Sequence, residues 1–249
     1  MSLILGIDYG GSFIKAGAVE CDTGQLVGEL ASVATPPGAS LAGSKLAVQN
    51  LAARFPDCVG PVGLAFPSVV RHGVTHTAAH ISPEWIDVDA VKWLSEALGR
   101  PGYVLNDADA AGLAEIRIGA GQGERGKVMM VTFGTGIGTA LFLDGKLWPN
   151  TELGHLHVGA EEAEVQASAR TRAQQDLDWP TWCARVNTVL LEYHRLLWPD
   201  LFIVGGGVSE RWEEFQGLIT PTLQVVPARL RQSAGVVGAA LYAREQSVK

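Results

Sequence analysis

The chain has 249 residues, enough for one large domain or two smaller ones. Apolar residues make up 47% and charged residues 18%, which fits a packed globular protein and argues against a disordered one. The formal net charge of −7 argues against general nucleic-acid binding, and no apolar run is long enough to span a membrane. The three cysteines are far apart and no basic leader precedes the first apolar run, which predicts a reducing, cytoplasmic compartment.

The first half of the chain is predicted to contain five strands and three helices, from its apolar runs and helical spacings. The strands are placed at 3–7, 14–19, 26–33, 62–66 and 103–105, and the helices at 41–54, 88–98 and 108–118. Gly99 and Pro101 are the stop signals of the second helix.

The second half repeats the opening pattern of strand, glycine turn and strand, and helices follow. Strands are predicted at 128–131, 137–143 and 201–204, and helices at 162–172, 178–197, 209–218 and 236–244. Asp178 and Ser209 are the predicted N-caps of two of these helices. This order predicts an α/β protein with two similar lobes and a cleft between them. The lobes are predicted at 1–105, joined by the terminal helix 235–249, and at 106–234.

Two glycine turns, Asp8-Tyr9-Gly10-Gly11-Ser12 and Phe133-Gly134-Thr135-Gly136, are the most informative motifs. Glycine lets a backbone approach a ligand closely and point successive N–H groups at an anion. Two such turns facing each other would hold a phosphate chain from both sides. A third glycine-rich segment, 121–127, matches a dinucleotide or P-loop pattern, but a helix precedes it and a strand follows, which favours a simple connector.

Asn106 and Asp107 stand where a predicted strand ends and a helix begins. In open α/β sheets this end of a strand faces the ligand, so the Asp107 carboxylate is a candidate base for a substrate hydroxyl. The alternative is that Asp107 is an ordinary helix N-cap. Lys15, on the second strand, either reaches an anion or lies at a solvent-exposed edge.

Glu152 and His155 stand three residues apart in a glycine-containing turn, a pattern that suits a polyhydroxyl ligand, although an ordinary surface loop is the alternative. Glu161, Glu162 and Glu164 form an acidic run whose default interpretation is a solvated helix start. Gly205-Gly206-Gly207, before a predicted helix, is a candidate phosphate or nucleotide seat, or merely a strand-to-helix turn.

Taken together, these segments resemble the ROK family (repressor, open reading frame, kinase). Five motifs carry the resemblance in order: 8–12 with Lys15, 106–111, 134–139, 152–155 and 205–209. The resemblance implies the actin-like ATPase (ribonuclease H-like) fold, with two lobes and a central cleft, and a cytoplasmic sugar kinase that is a homodimer.

The resemblance also implies a role for each matching residue. Asp107 takes the proton of the sugar hydroxyl, and Asp8 helps to place Mg²⁺ through water. The sugar is held by Asn106, Glu152, His155 and Glu164. The donor phosphates are held by Asp8, Gly10, Gly11, Ser12, Lys15, Gly134, Thr135 and Gly136, with Gly205, Gly206 and Gly207 on the nucleotide side.

Within the family, the segments 149–155, 135–142 and 234–241 resemble the subgroup of polyphosphate glucokinases. This implies phosphorylation of the 6-hydroxyl of glucose from inorganic polyphosphate, ATP or both. No cysteine lies between 157 and 168, so the structural zinc of many family members is not expected. Polyphosphate needs basic residues, and the candidates are Lys15, Lys146, Arg170, Arg172, Arg229 and Arg231.

Two alternatives stay open. The first is an ATP-dependent kinase for another hexose such as mannose, because His80 and Ser82 stand in a sugar-side segment where the subgroup has Asn and Asp. The second is a sugar-sensing regulator, which is disfavoured because the first phosphate strand opens the chain, without a helix-turn-helix before it.

Overall fold

The computed structural model describes residues 3–78 and 81–248. The chain divides into two compact units, which we call unit 1 (Met1–Ala114 with Ser233–Lys249) and unit 2 (Glu115–Gln232). Within the described ranges, no helix is both long enough and apolar enough to cross a membrane.

Unit 1 is built on a five-stranded mixed sheet. Its elements, up to the helix that leads into unit 2, are β1 (Leu3–Tyr9), β2 (Phe13–Glu20), β3 (Gln25–Ala34), α1 (Leu41–Ala52), β4 (Val62–Phe66), β5 (Val70–Arg71), β6 (Val74–Thr75), α2 (Ala90–Leu98), β7 (Gly102–Asn106) and α3 (Asp107–Ile118). The strand order is β3-β2-β1-β4-β7, with the first three strands antiparallel and β1, β4 and β7 parallel. The strands thus follow the predicted ones closely.

Unit 2 repeats this arrangement. Its elements are β8 (Lys127–Phe133), β9 (Ile137–Leu143), β10 (Lys146–Thr151), β11 (His157–Val158), β12 (Glu161–Glu162), α4 (Ala163–Ala167), α5 (Ala169–Gln174), α6 (Trp179–Leu197), β13 (Leu201–Gly205) and β14 (Val225–Pro227). The strand order is β10-β9-β8-β13-β14, again an antiparallel triplet followed by parallel strands. The last helix, α7 (Ala234–Ser247), belongs to unit 1.

The two faces of the unit 1 sheet are covered differently because side chains alternate along a strand. Leu5 and Ile7 of β1 are fully buried and belong to the core that includes Val48 of α1. Gly6, between them, points the other way, and a Cβ there would overlap the carbonyl oxygen of Val236. Gly63 on β4 meets Ala239 in the same way. The glycines therefore let the backbone of α7 lie directly on the sheet.

Two predicted helices differ from those observed. The helix predicted over 162–172 is two short helices, because Ser168 is extended (ψ 157°) and its hydroxyl caps α5 by accepting the Thr171 N–H at 3.1 Å. Its first residue, Glu162, lies in a strand instead. Ser209 does not cap a helix over 209–218: it lies inside the 3₁₀ segment Gly207–Glu214, and its hydroxyl donates to the Gly206 carbonyl at 2.8 Å. The Asp178 cap is confirmed, since its carboxylate accepts the Thr181 N–H at 2.9 Å.

Candidate active site

The first glycine turn joins β1 to β2 in unit 1. The Gly10 N–H donates to the Phe13 carbonyl at 3.0 Å, which closes the turn. Thr35, just past the end of β3, braces it: its hydroxyl donates to the Gly10 carbonyl at 2.6 Å and its N–H to the Ser12 carbonyl at 2.9 Å. Among the described residues, the N–H groups of Gly11 and Ser12 find no acceptor, so both are available to an anion.

Asp8 lies at the base of this turn. It is paired across the strands with Lys15, so both side chains lie on one face of the sheet. Burial raises the pKa of the Asp8 carboxyl to about 6, although the Lys15 charge opposes that shift. A Cβ at Gly235, in the first turn of α7, would lie 2.6–2.9 Å from the Asp8 carboxyl group. Gly235 thus makes room for this carboxyl at the N-terminal end of a helix, where negative charge is favoured.

Asn106 ends β7 and Asp107 begins α3. The Asn106 side-chain oxygen accepts the N–H groups of Ala108 at 2.9 Å and Asp109 at 3.0 Å, and its amide nitrogen donates to the Ser68 carbonyl at 3.2 Å. Asn106 is therefore the helix cap. Asp107 is the first helical residue, half-buried, with its carboxylate accepting the Ala108 N–H at 2.8 Å. Asp107 is therefore not the N-cap of α3, as the alternative interpretation had it.

The second glycine turn joins β8 to β9 in unit 2. The Gly134 N–H donates to the Gly136 carbonyl at 3.0 Å, and the Gly134 carbonyl accepts the Arg170 N–H, also at 3.0 Å. Thr135 is exposed. In the part of the chain that the structure describes, the N–H groups of Thr135 and Gly136 donate no hydrogen bond, as at the first turn.

Glu152, His155 and Glu164 come together in unit 2, on the 3₁₀ turn Leu153–His155 and the start of α4. A Cβ at Gly154 would overlap the Ile137 carbonyl, so this turn lies directly on β9. Glu164 is anchored there too, accepting the Ile137 N–H at 3.3 Å. Burial raises the pKa of Glu152, which His155 opposes and Glu164 reinforces.

Glu162 is a site residue that the sequence analysis missed. Its carboxylate lies 3.0 Å from Nδ1 of His155, whereas the Glu164 carboxylate is 3.8 Å from the same atom. The hydrogen bond to Glu162 is the largest cause of the raised pKa of His155. Within the described ranges, ligand atoms of His155, Glu162 and Glu164 all lie within 4.8 Å of one another, a spacing that also suits one metal ion.

A cavity of about 590 Å³ lies beyond the glycine segment Gly205–Gly207 in unit 2. Its lining includes Ser209, Trp212, Arg229 and Arg231, together with two acidic residues, Glu210 and Glu213. The cavity therefore presents charges of both signs, and its arginines suit anionic groups of a ligand.

The remaining predicted residues are spread over the chain. Arg172 stacks its guanidinium 3.7 Å from the ring centre of Trp179, and Lys146 is exposed at the start of β10. Ser82 caps the 3₁₀ turn Pro83–Trp85, its hydroxyl accepting the Glu84 N–H at 3.3 Å. His80 lies outside the described residues.

Comparison with known families gives the class of protein. Residues 4–171 match the ROK family, so the chain belongs to that family, as the sequence motifs predicted. The mixed α/β class and the actin-like ATPase fold with two lobes are confirmed with it.

Individual relatives show a more specific similarity than the family does. The chain is 45% identical over 240 residues to a polyphosphate glucokinase of Mycobacterium tuberculosis, which covers 95% of this chain and 89% of that one. It superimposes on the crystal structure of an inorganic polyphosphate/ATP-glucomannokinase from an Arthrobacter species with a TM-score of 0.95, at 42% identity over 99% and 100% of the two chains. A ROK-family glucokinase from Streptomyces griseus, crystallised with glucose and AMPPNP, gives a TM-score of 0.81 at 26% identity over 98% and 99%.

Proposed function

We propose that this chain is a glucokinase that transfers a phosphoryl group from inorganic polyphosphate or ATP to the 6-hydroxyl of glucose. The names of the relatives support this enzyme class directly. The structural observation that carries the assignment is the Asn106–Asp107 pair. Asn106 at the end of β7 caps α3, and Asp107 places a half-buried carboxylate in the first turn of that helix. A base for a substrate hydroxyl is needed at such a position.

Asp107 is the proposed general base. Its carboxylate accepts the proton of the 6-hydroxyl as that oxygen attacks the terminal phosphorus of the donor, and the bond from phosphorus to the bridging oxygen breaks. Asn106, which caps the helix, is also proposed to contact the sugar, together with Glu152, His155 and Glu164. Burial raises the pKa of the Glu152 carboxyl, whose oxygens are proposed to bind sugar hydroxyls.

The two glycine turns are the proposed donor sites. The unused N–H groups of Gly11 and Ser12, and of Thr135 and Gly136, suit phosphate oxygens. Lys15 is proposed to add positive charge at the first turn. Phosphoryl transfer asks a protein mainly for alignment and charge neutralisation, and such groups supply both.

Mg²⁺ is the proposed metal, held through water by Asp8. The site fits this ion, because the Asp8 carboxylate is a hard oxygen ligand and burial raises its pKa, so that a nearby cation would favour its charged form. When bound, Mg²⁺ would neutralise charge on the transferred phosphoryl group.

ATP and polyphosphate are proposed to bind the same two glycine turns and to contact different residues beyond these turns. The cavity that Ser209, Trp212, Arg229 and Arg231 help to line is the proposed site for the adenosine of ATP, with the arginines as the groups that meet its phosphates. Polyphosphate has no nucleobase, so beyond the turns its binding depends on arginines and lysines.

The first test is a matrix of donors and sugars, polyphosphate and ATP against glucose, mannose and fructose, for wild type and Asp107→Ala. We expect wild type to phosphorylate glucose and the variant to fold normally but lose about 10³-fold or more in kcat. Asp107→Asn, which keeps the shape of the side chain, is the matched control for folding. Near-normal turnover in either variant would show that Asp107 is not the base.

Mannose is a second candidate substrate. The Arthrobacter neighbour is a glucomannokinase at 42% identity, and the segment His80-Ile81-Ser82 departs from the Asn-Ile-Asp expected of polyphosphate glucokinases. The same matrix decides between the two, because a glucose-specific enzyme leaves mannose unphosphorylated with either donor.

The homodimer and the cytoplasmic location are further proposals. Three apolar side chains near the end of α6 are 44–66% exposed, namely Leu191, Leu196 and Trp198, which supports a contact with a second copy. Sedimentation at micromolar concentration measures the mass, and a monomer would contradict the proposal.

A further inference from the structure

Glu162 reaches His155 because of a short hairpin. β11 and β12 pair antiparallel, with His157 opposite Glu162 and Val158 opposite Glu161. The Ala163 N–H then donates to the Leu156 carbonyl at 2.9 Å, which returns the chain beside the turn that carries His155. Residues seven apart in sequence are thereby brought into contact.

The two carboxylates near His155 have different tasks. Glu162 lies 3.0 Å from Nδ1, a normal hydrogen-bond length, whereas Glu164 at 3.8 Å is too far for one. Glu164 instead uses one oxygen to accept the Ile137 N–H. Glu162 alone is therefore placed to accept the Nδ1–H of His155, and Nε2 stands on the other side of the ring.

We propose that Glu162 is a positioning residue for the sugar site: by accepting the Nδ1–H of His155, it fixes the orientation and tautomer of that ring, so that Nε2 is presented to a sugar hydroxyl. The inference rests on the proposed glucokinase function. A hydrogen bond at one ring nitrogen of a histidine decides what the other nitrogen can do. In the neutral ring the Nδ1 proton leaves the lone pair of Nε2 to accept a bond from a hydroxyl.

Kinetics with matched variants test the role. We expect Glu162→Ala to raise the KM for glucose about tenfold and to leave kcat and the melting temperature nearly unchanged. Glu162→Asp keeps the carboxylate and should recover part of the loss. The control is Glu161→Ala, an exposed neighbour on the same hairpin, which should behave like wild type.

The ring itself supplies a readout that does not depend on activity. Nitrogen-15 NMR of His155 at alkaline pH should show the proton on Nδ1 in wild type and a shift towards Nε2 in Glu162→Ala. An unchanged glucose KM with an unchanged tautomer overturns the proposal, as does an equal KM increase in Glu161→Ala. If wild type phosphorylates glucose but the Glu162 variants change neither the glucose KM nor the tautomer, only the positioning role is wrong. If wild type binds no hexose by calorimetry, the proposed function falls with it.

Discussion

The two glycine turns share a backbone and differ in what surrounds it. Each closes an antiparallel hairpin at the centre of a five-stranded sheet, and each leaves two N–H groups without an acceptor among the described residues. Directly before the glycine, both turns have a fully buried aromatic residue, Tyr9 in the first and Phe133 in the second. One place earlier, the first turn has the acid Asp8 and the second has the hydroxyl residue Thr132. The turns thus differ in the polar residue at their base.

Their supports differ as well. The first turn is braced by Thr35, and its acid faces the N-terminal turn of α7 at Gly235. The second is braced by the backbone of Arg170, and its following strand is tied to Glu164. Similar backbone turns are thus connected to different groups, the first to the Asp8 carboxylate and the second, through β9, to Glu164. We therefore predict that the first turn holds a metal-associated phosphate and that the second couples phosphate binding to the sugar turn.

Among the residues of the two turns, the largest expected effect is at the acid of the first turn. Asp8→Asn should lower kcat about 100-fold with either donor, because it removes the only side-chain charge that we assign to Mg²⁺. Asp22→Asn, at an exposed position in the turn between β2 and β3, is the matched control and should keep full activity. Full activity in Asp8→Asn would make the two turns alike and break the comparison.

The same variant has a pH signature in stability. Because the folded pKa of Asp8 is raised from 3.8 to about 6, the folded state binds more protons than the unfolded one between these values. The contribution of this group to the free energy of unfolding therefore falls as pH rises through that window. In Mg²⁺-free buffer, Asp8→Asn should be more stable than wild type by about 2–3 kcal/mol at neutral pH and equal to it near pH 3. Urea unfolding at both pH values measures this difference, and a variant less stable at neutral pH contradicts it.

Much of the fold was predictable because local patterns decide it. The strands at the centre of both sheets are continuous apolar runs, and a Cβ at Gly10 in the first turn would lie 2.8 Å from the Phe13 carbonyl oxygen. The family and the enzyme class followed from these motifs in order. The residues assigned to donor, sugar and base remain predictions until variants are measured.

The features that the sequence did not reveal depend on which of two residues caps a helix, or on contacts between residues that are apart in the sequence. Asn106 and Asp107 are both good caps, so only the geometry shows that Asn106 is the cap and that Asp107 is the first helical residue. Ser168 breaks a helix in an alanine-rich segment because its hydroxyl can cap the next one. Glu162 looked like a solvated acid because its partner comes close only through the six-residue hairpin 157–162.

A smaller effect is expected at the brace of the first turn. Thr35→Val keeps the backbone bond to Ser12 but loses the hydroxyl bond to Gly10, and so loosens the N–H groups that face the donor. We expect the KM for the donor to rise about three- to tenfold, with the KM for glucose unchanged. Thr35→Ser retains the hydroxyl and should stay near wild type. An equal rise in both KM values would indicate a general loss of structure rather than a donor effect.

The smallest expected effect is at the second turn, where a substitution should change the KM for polyphosphate more than the KM for ATP. The Arg170 backbone contacts Gly134 and its side chain is exposed, so it adds screened positive charge beside the turn. Arg170→Gln should raise the KM for polyphosphate about two- to fivefold at low salt, and the difference should disappear as salt is added. ATP carries fewer charges and occupies fewer basic residues, so its KM should change less. Arg125→Gln, at an exposed position just before β8, is the control for loss of a positive charge elsewhere in unit 2. Equal salt dependence for both donors would place the polyphosphate chain away from Arg170, and the second turn would then serve both donors through its backbone alone.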